Sequence, residues 1–465
     1  MIALTLPTAG TFTGEAVRVL LTGAGFLLLF VAAEVWLRAL NPPVEWTRKL
    51  VHFGGGIVAA AFPWIFGSHW TVLGLALLFV VVLWETRRRG LLGSVHGVER
   101  RSEGALYYPA AIYLLLVIGA GRPVFYMIAV LALVVSDTVA AVLGSAYGRV
   151  RYVVEADRRT VEGSAVFFLS TFLVVHLPLL LMTDTPRAIS VLVALQLALL
   201  VTLVEGISIK GNDNLVVPLM TFYLLVKLTR QTAEFLLYQL SAQLVIMALL
   251  GLIAWRYHFV TASGAMGLML FFYGVYALGG EEWIVAPALA LVGFSVFYLF
   301  RCRPAGHGNV QYQVIALFYV AVVPVTLFLA NNAFETLLPG PAFLRTGDPF
   351  YPAFLGAVAA QLALIVYNLD PATRSRRRAA RVAELAGAGA FAATVLPGLI
   401  VWSPAVRLRD LLIPAAVLLV ASALYHSLWR SGRWPHRRFW NVRLQSLSVA
   451  GAVLVLLPVI LRAAR

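Results

Sequence analysis

Uninterrupted apolar runs constrain this chain more than any other feature. Segments such as LLLFVAAEVWL (27–37) and MIAVLALVV (127–135) run on without the alternation of a half-buried strand. A helix needs about 20 apolar residues to cross a bilayer, whereas a barrel strand would alternate over segments of about ten. The chain is 61% hydrophobic and 12% charged, with mean hydropathy +0.87. Soluble domains carry about 25% charged residues, so no soluble fold could bury this much apolar surface. The fold class expected is all-α, a polytopic integral membrane protein with about 14–16 transmembrane helices.

Spans are expected at roughly 16–40, 51–66, 69–84, 107–120, 123–143, 163–182, 188–204, 214–228, 232–253, 262–279, 283–300, 310–330, 349–369, 383–403, 409–429 and 444–462. Lys and Arg total 36 against 21 Asp and Glu, a net charge of +15. The cations gather in alternate short loops, which is the positive-inside pattern and not a nucleic-acid surface. The N-terminus is then expected outside, with the basic loops facing the cytoplasm of a prokaryotic plasma membrane. No basic segment precedes the first apolar run, so no cleaved leader is expected. The one cysteine, Cys302, excludes an intrachain disulfide and a cysteine metal cluster. Texture changes near residue 228, dividing the chain into 1–228 and 229–465. Earlier inner loops mix acids, Gly, Asn and His with Arg. Later ones, such as RSRRRAAR and RSGRWPHRR, are nearly pure Arg and read as topology anchors and headgroup contacts.

Four segments could carry chemistry, and all fall on the expected inner side. In the first, Arg48 and Lys49 precede His52 and Gly54-Gly55-Gly56. Small residues at a helix N-terminus beside cations suit a phosphate, while close helix packing is the plainer role. In the second, Asp137 lies in an apolar helix ending in Gly144, Gly148 and Arg149. An intramembrane carboxylate costs about 2.5 kcal/mol or more without a partner. Beside a phosphate site it suits Mg²⁺; paired to a loop Arg it would be structural. The small face of this helix admits either a nucleotide or a neighbouring helix. In the third, Arg158 and Arg159 precede Thr160, Glu162, Gly163 and Ser164. Thr160 is a fair N-cap, and the paired Arg with Gly-Ser resembles a phosphate cradle. In the fourth, Glu205, Lys210, Asn212, Asp213 and Asn214 share one loop, with oxygens for Mg²⁺ and an amine for phosphate. The remaining histidines are scattered and read as loop or interface residues.

Taken together and in this order, RKLVH (48–52), SDTVAAVLGSAYGR (136–149), RRTVEGS (158–164) and VEGISIKGNDNLVVPL (204–219) resemble the CTP-dependent lipid kinase family. That family includes dolichol, phytol and farnesol kinases, and the resemblance covers about residues 30–228. Arg149 and Arg159 stand where the family often has Lys, and Ser136 where it often has Gly. The middle pieces are also similar to part of phosphatidate cytidylyltransferase, whose C-terminal signature does not occur here. In the second half, Thr261 to Ala265, Gly279-Gly280 with Trp283, and Gln313-Val314 faintly resemble the family containing plant phytyl-phosphate kinase.

The resemblance implies transfer of the γ-phosphate of CTP to a long-chain isoprenoid alcohol among membrane lipids. Asp137 and Asp213 would hold Mg²⁺, assisted by Asn212 or Asn214. Arg48, Lys49, Arg149, Arg158, Arg159 and Lys210 would clamp the triphosphate, with Gly144, Gly148, Glu162, Gly163 and Ser164 around it. His52 or Glu205 would orient or deprotonate the alcohol. The rival readings are a cytidylyltransferase making a CDP-lipid and a lipid transporter with no bond chemistry.

Overall fold

The structure, a computed structural model, describes residues 12–96, 104–155, 157–307, 312–337, 350–374, 376–402, 406–430 and 438–463. Arg100, Arg101, the N-terminal segment before residue 12 and the basic loop 431–437 lie outside the described residues. The protein is an all-α polytopic membrane protein. Among the described residues, thirteen helices are long and apolar enough to cross a bilayer. The chain forms two compact units, Met1–Leu244 and Val245–Arg465.

Unit 1 contains α1 (Phe12–Leu40), α2 (Val44–Ala60), α3 (Phe62–Ile65), α4 (His69–Arg88), α5 (Gly93–His96), α6 (Gly104–Ile118) and α7 (Pro123–Tyr147). A hairpin follows, β1 (Arg151–Val154) and β2 (Asp157–Thr160), then α8 (Val161–Met182), α9 (Arg187–Ile207) and α10 (Asp213–Leu228). Helix α11 (Ala233–Tyr257) carries the division between the units. α2, α6 and α10, of 17, 15 and 16 residues, stand where three of the shorter spans were expected.

The central element of unit 1 is α7. Pro123 occupies its first turn, where the missing N–H costs nothing. Ile128, Ala129, Val130, Ala132, Leu133 and Val134 are all buried. Helix α2 lies directly on it: a Cβ at Gly56 would fall 2.2 Å from Val134 Cγ2. Gly55 and Gly54 meet Phe26 and Leu29 of α1 in the same way, at 2.9 and 3.0 Å. The three glycines therefore thin α2 so that it fits between two neighbours.

Unit 2 continues with α12 (Ala262–Gly279), α13 (Glu281–Phe297), α14 (Val314–Leu337), α15 (Tyr351–Leu369), α16 (Arg376–Ala390), α17 (Leu396–Trp402), α18 (Leu408–Arg430) and α19 (Arg438–Ala463). α15 is its buried axis, with all residues from Tyr351 to Leu364 inside. A Cβ at Gly356 would fall 2.7 Å from Pro414 Cα, which sets the approach of α15 to α18. Thr261 caps α12 by accepting a hydrogen bond from Gly264 N at 3.2 Å. Trp283 packs its ring edge-on to Phe328 and Tyr351, 5.0 and 4.8 Å away. The residues singled out in this half thus cap and pack helices.

Candidate active site

Residues 45, 48, 49 and 52 follow the i, i+3, i+4, i+7 rule and share one face of α2. Glu45 accepts from Nε and Nη2 of Arg48, at 3.1 and 2.5 Å. One turn on, Lys49 is buried, and its Nζ donates to Asp137 Oδ2 at 2.5 Å. The same carboxylate oxygen lies 3.6 Å from His52 Nε2, beyond hydrogen-bond range. Asp137 sits ten residues before the end of α7, about 15 Å along the axis. Asp137 is thus paired with a Lys from another helix, and not with the loop Arg of the structural alternative.

Helix α2 starts at Val44, seven residues before the expected span, after Pro42 and Pro43. His52 and the glycines are therefore mid-helix, where backbone N–H groups serve intrahelical bonds and cannot cradle a phosphate. Of the two roles open to that segment, helix packing holds and the phosphate cradle does not. Gly144 and Gly148, expected around the triphosphate, likewise meet a neighbouring helix instead. A Cβ at Gly144 would come within 3.0 Å of Gly163 Cα and Thr160 Oγ1, and one at Gly148 within 2.5 Å of Thr160 Cγ2. The small face of α7 receives the start of α8 and is closed to a nucleotide.

The hairpin β1–β2 was expected as loop. Its register pairs Arg151 with Thr160 and Tyr152 with Arg159. Thr160 caps α8 by accepting from Gly163 N at 3.1 Å, as its position suggests. Glu162 accepts from Val150 N and so ties the hairpin to α8. Tyr152 and Ser164 share a hydrogen bond of 2.8 Å. Burial raises the Tyr152 pKa, and the nearby Glu205 raises it further, so the phenol stays protonated. Arg159 donates through Nη1 to Glu205 and through Nη2 to Ser208 O at 3.0 Å. Burial alone would lower the Arg159 pKa, but Glu205 and Asp213 outweigh it and hold the guanidinium charged.

The loop after α9 turns on two left-handed residues, Lys210 (φ +53°) and Gly211 (φ +84°). Asn212 Oδ1 accepts from Ile209 N at 2.9 Å, and Asn214 Nδ2 donates to Gly104 O at 3.0 Å. Both amides thus shape the loop and anchor α6. Lys210, Arg149 and Arg158 are exposed. Asp213, at the start of α10, acts electrostatically on both Arg48 and Arg159.

Side chains from α2, α7, β2, α9 and α10 therefore meet in one electrostatic neighbourhood, built around Lys49–Asp137 and Arg159–Glu205. Sequence reasoning missed Glu45, which partners Arg48, and Tyr152 and Tyr108. The position of Glu45, three residues before Arg48, was the available signal for the first. Tyr108 OH and His52 Nε2 are both buried and without a hydrogen-bond partner. Among the described residues, no three of His, Cys, Asp and Glu gather as a ready metal group. Mg²⁺ is commonly held by only one or two carboxylates together with substrate phosphates, and the hard oxygens of Asp137 and Asp213 fit that donor type.

The chain is 34% identical over 193 residues to phytol kinase of Synechocystis sp.; the match covers 41% of this chain and 82% of that protein. No family model matches the chain. No solved structure matches it.

Proposed function

The chain belongs to the isoprenoid lipid kinase family, and from that premise we propose that unit 1 transfers the γ-phosphate of CTP to the hydroxyl of a phytol-, farnesol- or polyprenol-type alcohol, with Mg²⁺. The observation that carries the reading is the buried Lys49–Asp137 pair, with His52 beside it and Arg159, Glu205 and Asp213 in electrostatic reach. Phosphoryl transfer asks a protein mainly for positioning and charge neutralisation. Arg48, Lys49 and Arg159 supply cations, and the exposed Arg149, Arg158 and Lys210 receive the nucleotide at the rim. Asp137 and Asp213 would hold Mg²⁺, which neutralises charge developing on the phosphates. His52 is better placed than Glu205 to take the alcohol proton. Glu205 is engaged by Arg159, whereas the outer nitrogen of His52 has no hydrogen-bond partner. The cations in the loops on this side support a cytoplasmic position for this face under the positive-inside rule.

The test is turnover by the purified full chain with CTP, Mg²⁺ and each alcohol. Phosphorylated lipid and CDP are expected. With a phosphatidic acid supplied in place of the alcohol, pyrophosphate and a CDP-lipid would indicate cytidylyl transfer, and nucleotide-independent lipid movement in vesicles would indicate transport. Asp137→Asn and Asp213→Asn should each lower the rate about 100-fold or more, the scale of a lost transition-state contact. Unchanged rates would remove the metal assignment.

A further inference from the structure

Two residues with unpartnered buried polar atoms lie ring beside ring, next to the Lys49–Asp137 pair. The ring centroids of His52 and Tyr108 are 5.0 Å apart, tilted by 57°. His52 Nε2 and Tyr108 OH are each buried and bonded to nothing. Leaving a buried polar group unsatisfied costs about 1–3 kcal/mol. Two neighbouring cases in a packed helical core call for a partner that fits between them. The contrast with Tyr126 is direct. Its phenol is also buried, and it donates to Ala59 O at 3.0 Å.

The surroundings state what kind of partner. On one side His52 adjoins the ion pair of Lys49 and Asp137. On the other, Tyr108 packs against an apolar cluster that includes Ala59, Ile112, Leu115, Ala129 and Val130. A group held there meets charge at one end and hydrocarbon at the other. That suits an amphiphile with a small neutral polar head, and would leave part of a triphosphate's charge against apolar side chains.

We infer that Tyr108 and His52 together form the seat of the acceptor hydroxyl, with Tyr108 as a positioning residue for the lipid alcohol. This rests on the kinase reading above and assigns a place to its second substrate. Tyr108 OH donates to the alcohol oxygen, whose own hydrogen points to His52 Nε2. The alcohol oxygen forms its bond to the γ-phosphorus as the bond from that phosphorus to the bridging oxygen breaks. The proton passes to His52 Nε2, and the electron pair of the broken bond leaves with the nucleoside diphosphate. The start of α6 is held for this role by Asn214, which donates to Gly104 O four residues before Tyr108.

Tyr108→Phe keeps the ring and its packing and removes one oxygen. In the purified full chain with CTP, Mg²⁺ and the best alcohol found in the screen, kcat/KM for the alcohol should fall about tenfold, the scale of one hydrogen bond to a reacting group. KM for CTP should stay within about twofold. The unfolding temperature should hold or rise, since an unpartnered buried phenol has gone. An unchanged kcat/KM for the alcohol overturns the inference, as does an equal loss for both substrates. A lowered unfolding temperature does the same, because the hydroxyl would then serve the fold. If the wild-type chain phosphorylates no alcohol, the kinase reading fails and the inference with it. If the wild type turns over and Tyr108→Phe matches it, the inference alone fails.

Discussion

Replacing Lys49 by Met removes a charge from a pair that is almost shut off from water. The side chains of Lys49 and Asp137 are only 5% and 16% exposed, and the Nζ–Oδ2 distance is 2.5 Å. Removing one partner of a buried pair costs about 3–5 kcal/mol, because the other charge stays buried without compensation. For a unit of this size each kcal/mol moves the unfolding temperature by about 2–4 °C, so Lys49→Met should lower it by roughly 6–20 °C. Asp137→Asn should act in the same direction. The double variant leaves no orphan charge, so its loss should fall short of the sum of the singles by about 0.5–3 kcal/mol. Thermal unfolding of the four proteins in one lipid nanodisc preparation, followed by intrinsic fluorescence, measures all these terms. Activity should be lost in all three variants, which separates the structural cost from the chemical one. Strict additivity, or a Lys49→Met shift below about 2 °C, would refute the pairing as a stabilising contact.

Arg159→Lys should retain turnover within about tenfold while lowering stability by about 1–2 kcal/mol, since an ammonium cannot hold Glu205 and the Ser208 carbonyl with one fork as Arg does; steady-state rates and unfolding temperatures check both. Gly144→Ala inserts a methyl group 3.0 Å from Gly163 Cα and Thr160 Oγ1. It should cost about 1–3 kcal/mol by overpacking, read from unfolding, with the α7–α8 contact loosened.

The membrane class of this chain could be read from apolar run length alone, because lipid imposes one requirement on every spanning segment: each backbone group must be satisfied internally. Element ends were harder. α2 was expected to begin at Val51, although the Pro42-Pro43 signal already marked a start seven residues earlier. That shift decides between the two roles open to Gly54, Gly55 and Gly56, which form a packing face and not a phosphate cradle. The hairpin at 151–160 was hidden by its charged residues. RYVV carries a strand signal, but Arg158 and Arg159 drew attention to binding instead. The polar residues of the site were visible because charge in an apolar chain is conspicuous. Their pairing was not visible, since Lys49 and Asp137 are 88 residues apart and only the packing of α2 on α7 brings them together. Tyr108 carried no signal at all. An aromatic residue in an apolar run looks like core until its hydroxyl is found without a partner.

Two of the departures from the family pattern, Ser136 and Arg159, find their reasons in the same packing. Ser136, where Gly is common, is buried and accepts from Thr171 Oγ1 at 2.9 Å, so it links α7 to α8 directly behind Asp137. A Gly there would leave Thr171 to find another partner. Arg159, where Lys is common, reaches two acceptors on and after α9 at once. Both residues link elements of the frame that holds the carboxylates. Three cations of the site each carry a carboxylate partner: Arg48 with Glu45, Lys49 with Asp137, and Arg159 with Glu205. Such pairing is what lets these charges lie among apolar helices, where an unpaired charge would be expelled or neutralised. On the kinase reading, a magnesium–triphosphate complex brings both signs of charge. Asp137 and Asp213 would hold its metal and Lys49 and Arg159 its phosphates, so that each charge would meet an opposite one. On that reading a phosphate substrate without its metal would bring no cation to stand beside Asp137 in place of Lys49, so these resting ion pairs would favour the metal complex.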